Sequence, residues 1–209
     1  TLAALATAAL VVLFLLPLVA QAQLTIEIVG GAGTTIPVAI VPFENEGGVP
    51  STITSVVGAD LTRSGRFKLV DPNIAPRPYR AEDVRSADWK ARGADAVAVG
   101  NVRALPDGRA EIRFALVDVV KQQTLASTTY TVTQSQFRAT AHKIADVIYE
   151  ALTGDPGVFS TRIAYVSKQG TKYQLFVAEA DGYNPQSIVT SNEPLLSPTW
   201  SPDGTRIAY

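Results

Sequence analysis

The chain has 209 residues, 18% of them charged, with a formal net charge of −1. That balance offers no clustered basic surface for a nucleic-acid partner. It has no cysteine and one histidine, His142, which removes thiolate metal sites, disulfide frameworks, cysteine nucleophiles and paired-histidine metal sites together.

Thr1 to Gln23 contain no Asp, Glu, Lys or Arg. Ala8 to Leu16 form an unbroken apolar core, Pro17 breaks it, and Ala20-Gln21-Ala22 supplies a small-x-small cleavage pattern. The segment predicts a secretory signal over residues 1–22, leaving Gln23 as the first mature residue. About 20 apolar residues could also span a bilayer, but Pro17 and the Ala-Gln-Ala site favour the signal. Export follows on either reading, and in a bacterium that means the periplasm or beyond. No Met and no basic flank precede the apolar run, so the sequence is expected to start a few residues late.

From residue 23 to 153, strand-like and helix-like periodicities alternate. "LTIEIV" (24–29) and "IPVAIVPF" (36–43) are β-branched runs joined by the connector "GGAGTT". "STITSVVGADLTRSG" has helical spacing through Ile53, Val56, Val57, Asp60, Leu61 and Ser64, with Gly65 as a stop. "FKLV" (67–70) is a short strand, and the proline-rich "DPNIAPRPYR" is a loop. "SADWKARG" reads as one short helix between a Ser cap and a Gly stop. "ADAVAVGNVRAL" is a buried strand, Pro106-Asp107-Gly108 a turn, "RAEIRFALVDVV" the antiparallel return and "TLASTTYTVT" a further strand. A helix from about Ser135 to Leu152 closes the region, with Phe137, Ala141, Ile144, Ala145, Ile148 and Leu152 on its apolar face and Gly154 as its stop. The expectation is an α/β N-terminal domain large enough to bury its own core.

Beyond Gly154 the helical spacing disappears. "TRIAYVSK", "KYQLFVAEA" and "QSIVT" are three short strands, and "SPTW" is a fourth extended piece before "SPDG" turns the chain back. The pentapeptide "TRIAY" occurs at 161–165 and again at 205–209, a spacing of 44 residues. Four strands at that period match the roughly 40–45-residue unit of a β-propeller blade. Residues 154–209 are therefore expected to hold the first blade of an all-β propeller and the start of the second, in a truncated chain. Trp200 is expected to pack between neighbouring blades.

With "HKIADVIYEALTG" (142–154) running directly into "TRIAYVS", then "DGYNPQSIV" and "LLSPTWSPDGTRIAY", the chain resembles the TolB family, periplasmic propeller components of the Tol–Pal system. "VGADLTRSGRFKLVDP" and "ADAVAVGNV" extend that resemblance across the N-terminal domain. It implies a non-enzymatic scaffold without cofactor that serves outer-membrane integrity and cell division. Its N-terminal segment and domain would contact a TolA-like inner-membrane protein, and its propeller a Pal-like peptidoglycan-associated lipoprotein. The partner-binding segment implied here is Gln23, Leu24, Thr25, Ile26, Glu27, Ile28 and Val29, within a TolA-contacting stretch that reaches Gly33. The residues agree, since a β-branched run with a free N-terminus can pair with a partner's sheet edge or fold back on its own domain. Most of the Pal-binding surface is expected beyond Tyr209.

Other residues invite sharper readings. His142 and Asp146 share a helix face, with Glu150 extending the row, but a catalytic pair needs a nucleophile elbow and no Gly-x-Ser-x-Gly stretch is present. The row reads instead as a polar face, suited to docking the helix against the first blade. "GGAGTT" lacks the Lys of a phosphate loop. Asp181 and Asp203 each stand alone beside a turn Gly, which does not make a calcium loop, so both are turn residues. The alternative function is a secreted propeller-containing serine hydrolase whose catalytic domain lies beyond this chain.

Overall fold

The computed structural model describes residues 35–47 and 53–209. Its first sheet has five strands: β1 (Ile36–Ile40), β2 (Phe67–Val70), β3 (Ala96–Ala104), β4 (Ala110–Asp118) and β5 (Gln123–Val132), in the order β2-β1-β3-β4-β5. β1 runs parallel to both β2 and β3, whereas β3, β4 and β5 form an antiparallel meander. Pairing persists just past β1. Pro42 cannot donate, but the N–H groups of Val41 and Glu44 on either side reach the carbonyls of Ala98 and Gly100 at 2.9 and 3.0 Å.

Strand alternation sorts the core into two layers. Val38, Ile40, Ala98, Ile112, Phe114 and Leu116 face one side, where they meet helices α1 (Ile53–Arg63) and α3 (Phe137–Thr153). Ala39, Val41, Val97, Val99 and Ala115 face the other, against Trp89 of the short helix α2 (Ser86–Ala91). Each fully buried Ile or Leu stabilises the fold by roughly 1.5–3 kcal/mol relative to exposure. Two such layers account for the sheet's near-continuous apolar strands.

The elements expected from sequence between Ile36 and Gly154 are all present, with one correction. Ser86 does not cap α2. The helix opens one residue earlier, at Arg85, whose carbonyl accepts from Asp88 N–H at 3.0 Å, and Ser86 lies inside the first turn. A Thr133–Gln136 capping box does precede α3, and Gly154 at φ 80° ends it.

After Gly154, β6 (Arg162–Gln169), β7 (Lys172–Glu179) and β8 (Gln186–Ser191) form a three-stranded antiparallel meander, and β9 (Thr199–Trp200) pairs with β10 (Ile207–Ala208). "SPTW" is extended and "SPDG" turns the chain back, as expected, but the piece does not make a fourth strand on β8. It pairs forward with the second "TRIAY" through the "SPDG" turn, closed by Ser201 N–H to Arg206 C=O at 2.9 Å and by Gly204 at φ 66°. The hydroxyls of Ser201 and Thr205 and the Thr205 N–H all bond the Asp203 carboxylate, which holds its pKa down at about 2. A carboxylate locked this way organises the turn, as expected for Asp203.

The two sheets touch through Arg162, which donates to Gly204 C=O at 3.2 Å and lies 5.1 Å from the Trp200 ring centroid. Ile163, Tyr165 and Ile188 leave an apolar surface on the three-stranded sheet, between 37% and 56% exposed.

Candidate functional site

The partner-binding residues expected from sequence, Gln23 to Val29, lie outside the described residues. Within them, the densest functional chemistry is a polar row on α3. Arg138, His142 and Asp146 recur every four residues, which stacks them on one helical face. The neighbouring face carries Ala141, Ile144, Ala145 and Ile148, all fully buried against the five-stranded sheet. The sheet thus fixes the rotation of α3, and that rotation aims the polar row into the seam between α1 and the segment that begins the second sheet.

Every member of the row reaches across that seam. Arg138 donates through Nε to Glu179 Oε2 at 2.7 Å and through Nη2 to Asp181 Oδ2, and its guanidinium lies 4.0 Å from the Tyr183 ring centroid. His142, 3% exposed in its side chain, places Nδ1 2.5 Å from Asp60 Oδ2 on α1 and Nε2 3.1 Å from Glu179 Oε2 at the end of β7. Asp146 accepts the backbone N–H groups of Phe159 at 2.6 Å and Ser160 at 3.1 Å, immediately before β6. Phe159 in turn packs edge-on against Tyr149, with centroids 5.6 Å apart, and joins the first core layer. Gly157 is pressed so closely on Asp146 that a Cβ there would lie 2.4 Å from its Cα.

Electrostatics follow from this packing. Burial works against a charged His142. Its hydrogen bond to Asp60, the Asp60 charge and the hydrogen bond to Glu179 outweigh burial and the repulsion from Arg138, so its pKa is raised. Burial likewise opposes the charge on Asp181, but the Tyr183 N–H and Arg138 together hold its carboxyl low. Burial also opposes the charge on Arg138, but Glu179 and Asp181 overcome it and raise its pKa. Three carboxylates, Asp60, Glu179 and Asp181, face two guanidiniums, Arg63 and Arg138, and one imidazole.

Two catalytic uses fail on this geometry. His142 and Asp146 do not pair, because both Asp146 oxygens are taken by backbone N–H groups. Both His142 ring nitrogens face carboxylates, so neither is directed at a hydroxyl nucleophile. His142, Glu179 and Asp181 do bring ligand atoms within 4.8 Å of one another. The Arg138 guanidinium already bonds both carboxylates, however, so a cation stands where a metal ion would need to sit. What the row can do is fasten one unit of structure to the next.

The docking role expected for His142 and Asp146 is what the structure displays. Glu150, expected to extend the row, lies exposed one turn beyond Asp146, and its backbone carbonyl accepts the Gly154 N–H at 2.9 Å where α3 ends. Asp181 is more than a turn residue. One oxygen holds Tyr183 N–H at 2.9 Å and the other holds Arg138. Sequence reasoning missed the roles of Asp60, Arg138 and Glu179. Asp60 had a visible signal, a lone carboxylate on the apolar face of α1, and it is 1% exposed.

Residues 24–125 match the TolB amino-terminal domain and residues 149–209 the TolB beta propeller domain. The Tol-Pal system protein TolB of Methylobacillus flagellatus is 52% identical over 205 residues, 94% of this chain and 47% of that protein. That of Nitrosomonas europaea is 53% identical over 189 residues, 90% of this chain and 44% of that protein. The chain belongs to the TolB family. The crystal structure of TolB from Acinetobacter baumannii matches it with a TM-score of 0.75 at 39% identity, over 84% of this chain and 43% of that one. The chain thus spans about half the length of the curated TolB relatives it matches. Its architecture is that of the family, an N-terminal domain followed by the start of a propeller. Arg138, His142 and Asp146 fall between the two matched stretches, at the seam itself. Among the described residues, no helix is long and apolar enough to cross a membrane.

Proposed function

We propose that this chain forms the partner-linking front of a periplasmic Tol–Pal scaffold, with residues 1–22 as its export signal, 23–153 as the domain and 154–209 as the first blade and the start of the second. Its N-terminal segment, Gln23 to Val29, would take a TolA-like inner-membrane protein, and the propeller a Pal-like peptidoglycan-associated lipoprotein. The role is mechanical and organisational, in outer-membrane integrity and cell division, and it is not enzymatic. The observation that carries this reading is the order of the two TolB matches along one chain, with a polar row at their seam that ties domain to propeller. A scaffold that reports one partner's binding to another needs such a tie, because a ligand shifts only those states that it binds differently. The names of the relatives, Tol-Pal system proteins throughout those cited, favour the scaffold over a secreted hydrolase.

The test is deletion of residues 23–33, followed by capture of a purified TolA-like protein. The proposal expects loss of capture with an unchanged circular dichroism spectrum and melting temperature. Undiminished capture by the deletion variant would overturn the assignment of this segment.

A further inference from the structure

A neutral imidazole carries one N–H, yet His142 has a carboxylate oxygen at each ring nitrogen, 2.5 Å away at Asp60 and 3.1 Å away at Glu179. The geometry points to His142 as a doubly donating imidazolium whose proton clasps α1 to the end of β7, so that losing it loosens the hold of the N-terminal domain on the sheet that follows. This inference concerns the seam alone and stands apart from the partner assignment.

The charges around the ring fit that protonation state. On α1, Asp60 faces Nδ1, and its second oxygen accepts from Arg63 at 3.0 Å. On α3 itself, Arg138 lies one turn before His142, and Asp146 one turn after it is occupied by the N–H groups of Phe159 and Ser160. From the second sheet come Glu179, facing Nε2, and Asp181 behind it on Arg138. Asp146 apart, the three carboxylates that bond His142, Arg63 or Arg138 are matched charge for charge only if the imidazole is charged. Asp60 is 1% exposed, so a missing charge there is poorly screened by water. The upward pull on the His142 pKa agrees with this balance.

The asymmetry of the two hydrogen bonds sets what happens on deprotonation. The remaining N–H stays with the nearer and more deeply buried Asp60, which leaves the Nε2 lone pair against Glu179 Oε2. The hydrogen bond that breaks is therefore the one that crosses the seam. Arg138 and Asp146 still hold, so the blade loosens without detaching. Linkage gives the sign. A histidine pKa raised above its ordinary value of about 6.5 contributes fully below that value, and its contribution fades as pH rises through the folded-state pKa.

The test is a proton and 15N NMR titration of this 209-residue chain, in which the ring signals of the single histidine need no assignment. The inference expects a midpoint above 6.5, both ring nitrogens protonated below it, and the amide shifts of Phe159, Ser160 and Glu179 titrating with the same midpoint. In Glu179→Gln the midpoint should fall and those amides should stop following it. A wild-type midpoint at or below 6.5, or seam amides that ignore the titration, would overturn it. Because the wild-type titration decides by itself, poor folding of the variant leaves the inference testable.

Discussion

Replacing Asp60 by alanine tests the buried half of the seam, and its cost can be worked out at two pH values. Asp60 and His142 are 1% and 2% exposed, so water cannot replace the missing carboxylate. Removing it leaves a buried ring N–H without its acceptor, which costs about 1–3 kcal/mol. At pH 5 the variant must also either bury an imidazolium left with Glu179 alone or keep the ring neutral against its ordinary pKa near 6.5. The second course costs about 1.4 kcal/mol per pH unit, so roughly 2 kcal/mol at that pH. The total is about 3–5 kcal/mol at pH 5, in line with the breaking of other buried ion pairs. Above the folded-state pKa of His142 the wild-type ring is itself neutral, and only the first contribution, about 1–3 kcal/mol, remains. Urea denaturation of wild type and Asp60→Ala at pH 5 and above the NMR midpoint of His142 measures the difference. A loss that is equal at the two, or larger at the higher pH, would show that the Asp60 contact does not depend on the charge of the ring.

Two glycines give sharper steric tests. Gly157→Ala places a Cβ 2.4 Å from the Asp146 Cα, a backbone atom that no rotamer change can move, so the linker must shift and release Phe159 and Ser160. The expected cost is about 1–3 kcal/mol from overpacking, with faster hydrogen exchange at those two amides. Gly100→Ala sets its methyl 2.4 Å from the Phe43 ring and 2.5 Å from the Arg113 carbonyl, in the middle of the five-stranded sheet. A loss of at least about 2 kcal/mol in urea denaturation is expected, and none of it should depend on pH.

Much of the fold was legible because its signals are local. Alternation in "FKLV" and "EIRFALV", the apolar stripe of α3 and the glycines at 65, 93, 108 and 154 each specify an element without help from elsewhere. Those four glycines all have positive φ. The strand pairing of "SPTW" was not legible because a strand of two residues is defined by its partner, and "SPDG" turns it onto the chain that follows it. The seam was half legible. His142 and Asp146 stood out as a row, but the partners of His142 are separated from it by 82 residues at Asp60 and by 37 at Glu179. No periodicity in one chain reports an interaction of that range. The signal that does survive in sequence is chemical, an acidic residue on a helix face that is otherwise apolar. The partner-binding reading of Gln23 to Val29 comes from the sequence resemblance alone, and the capture experiment is its test.

The α3 polar row should make the N-terminal domain and the sheet beginning at Arg162 one rigid unit while His142 is protonated. Backbone residual dipolar couplings at pH 6 can decide this. A single alignment tensor should fit the amides of both sheets in the wild type, and Asp146→Ala combined with Arg138→Ala should split it into two. Two distinct tensors in the wild-type protein would mean that the row does not fasten the two together.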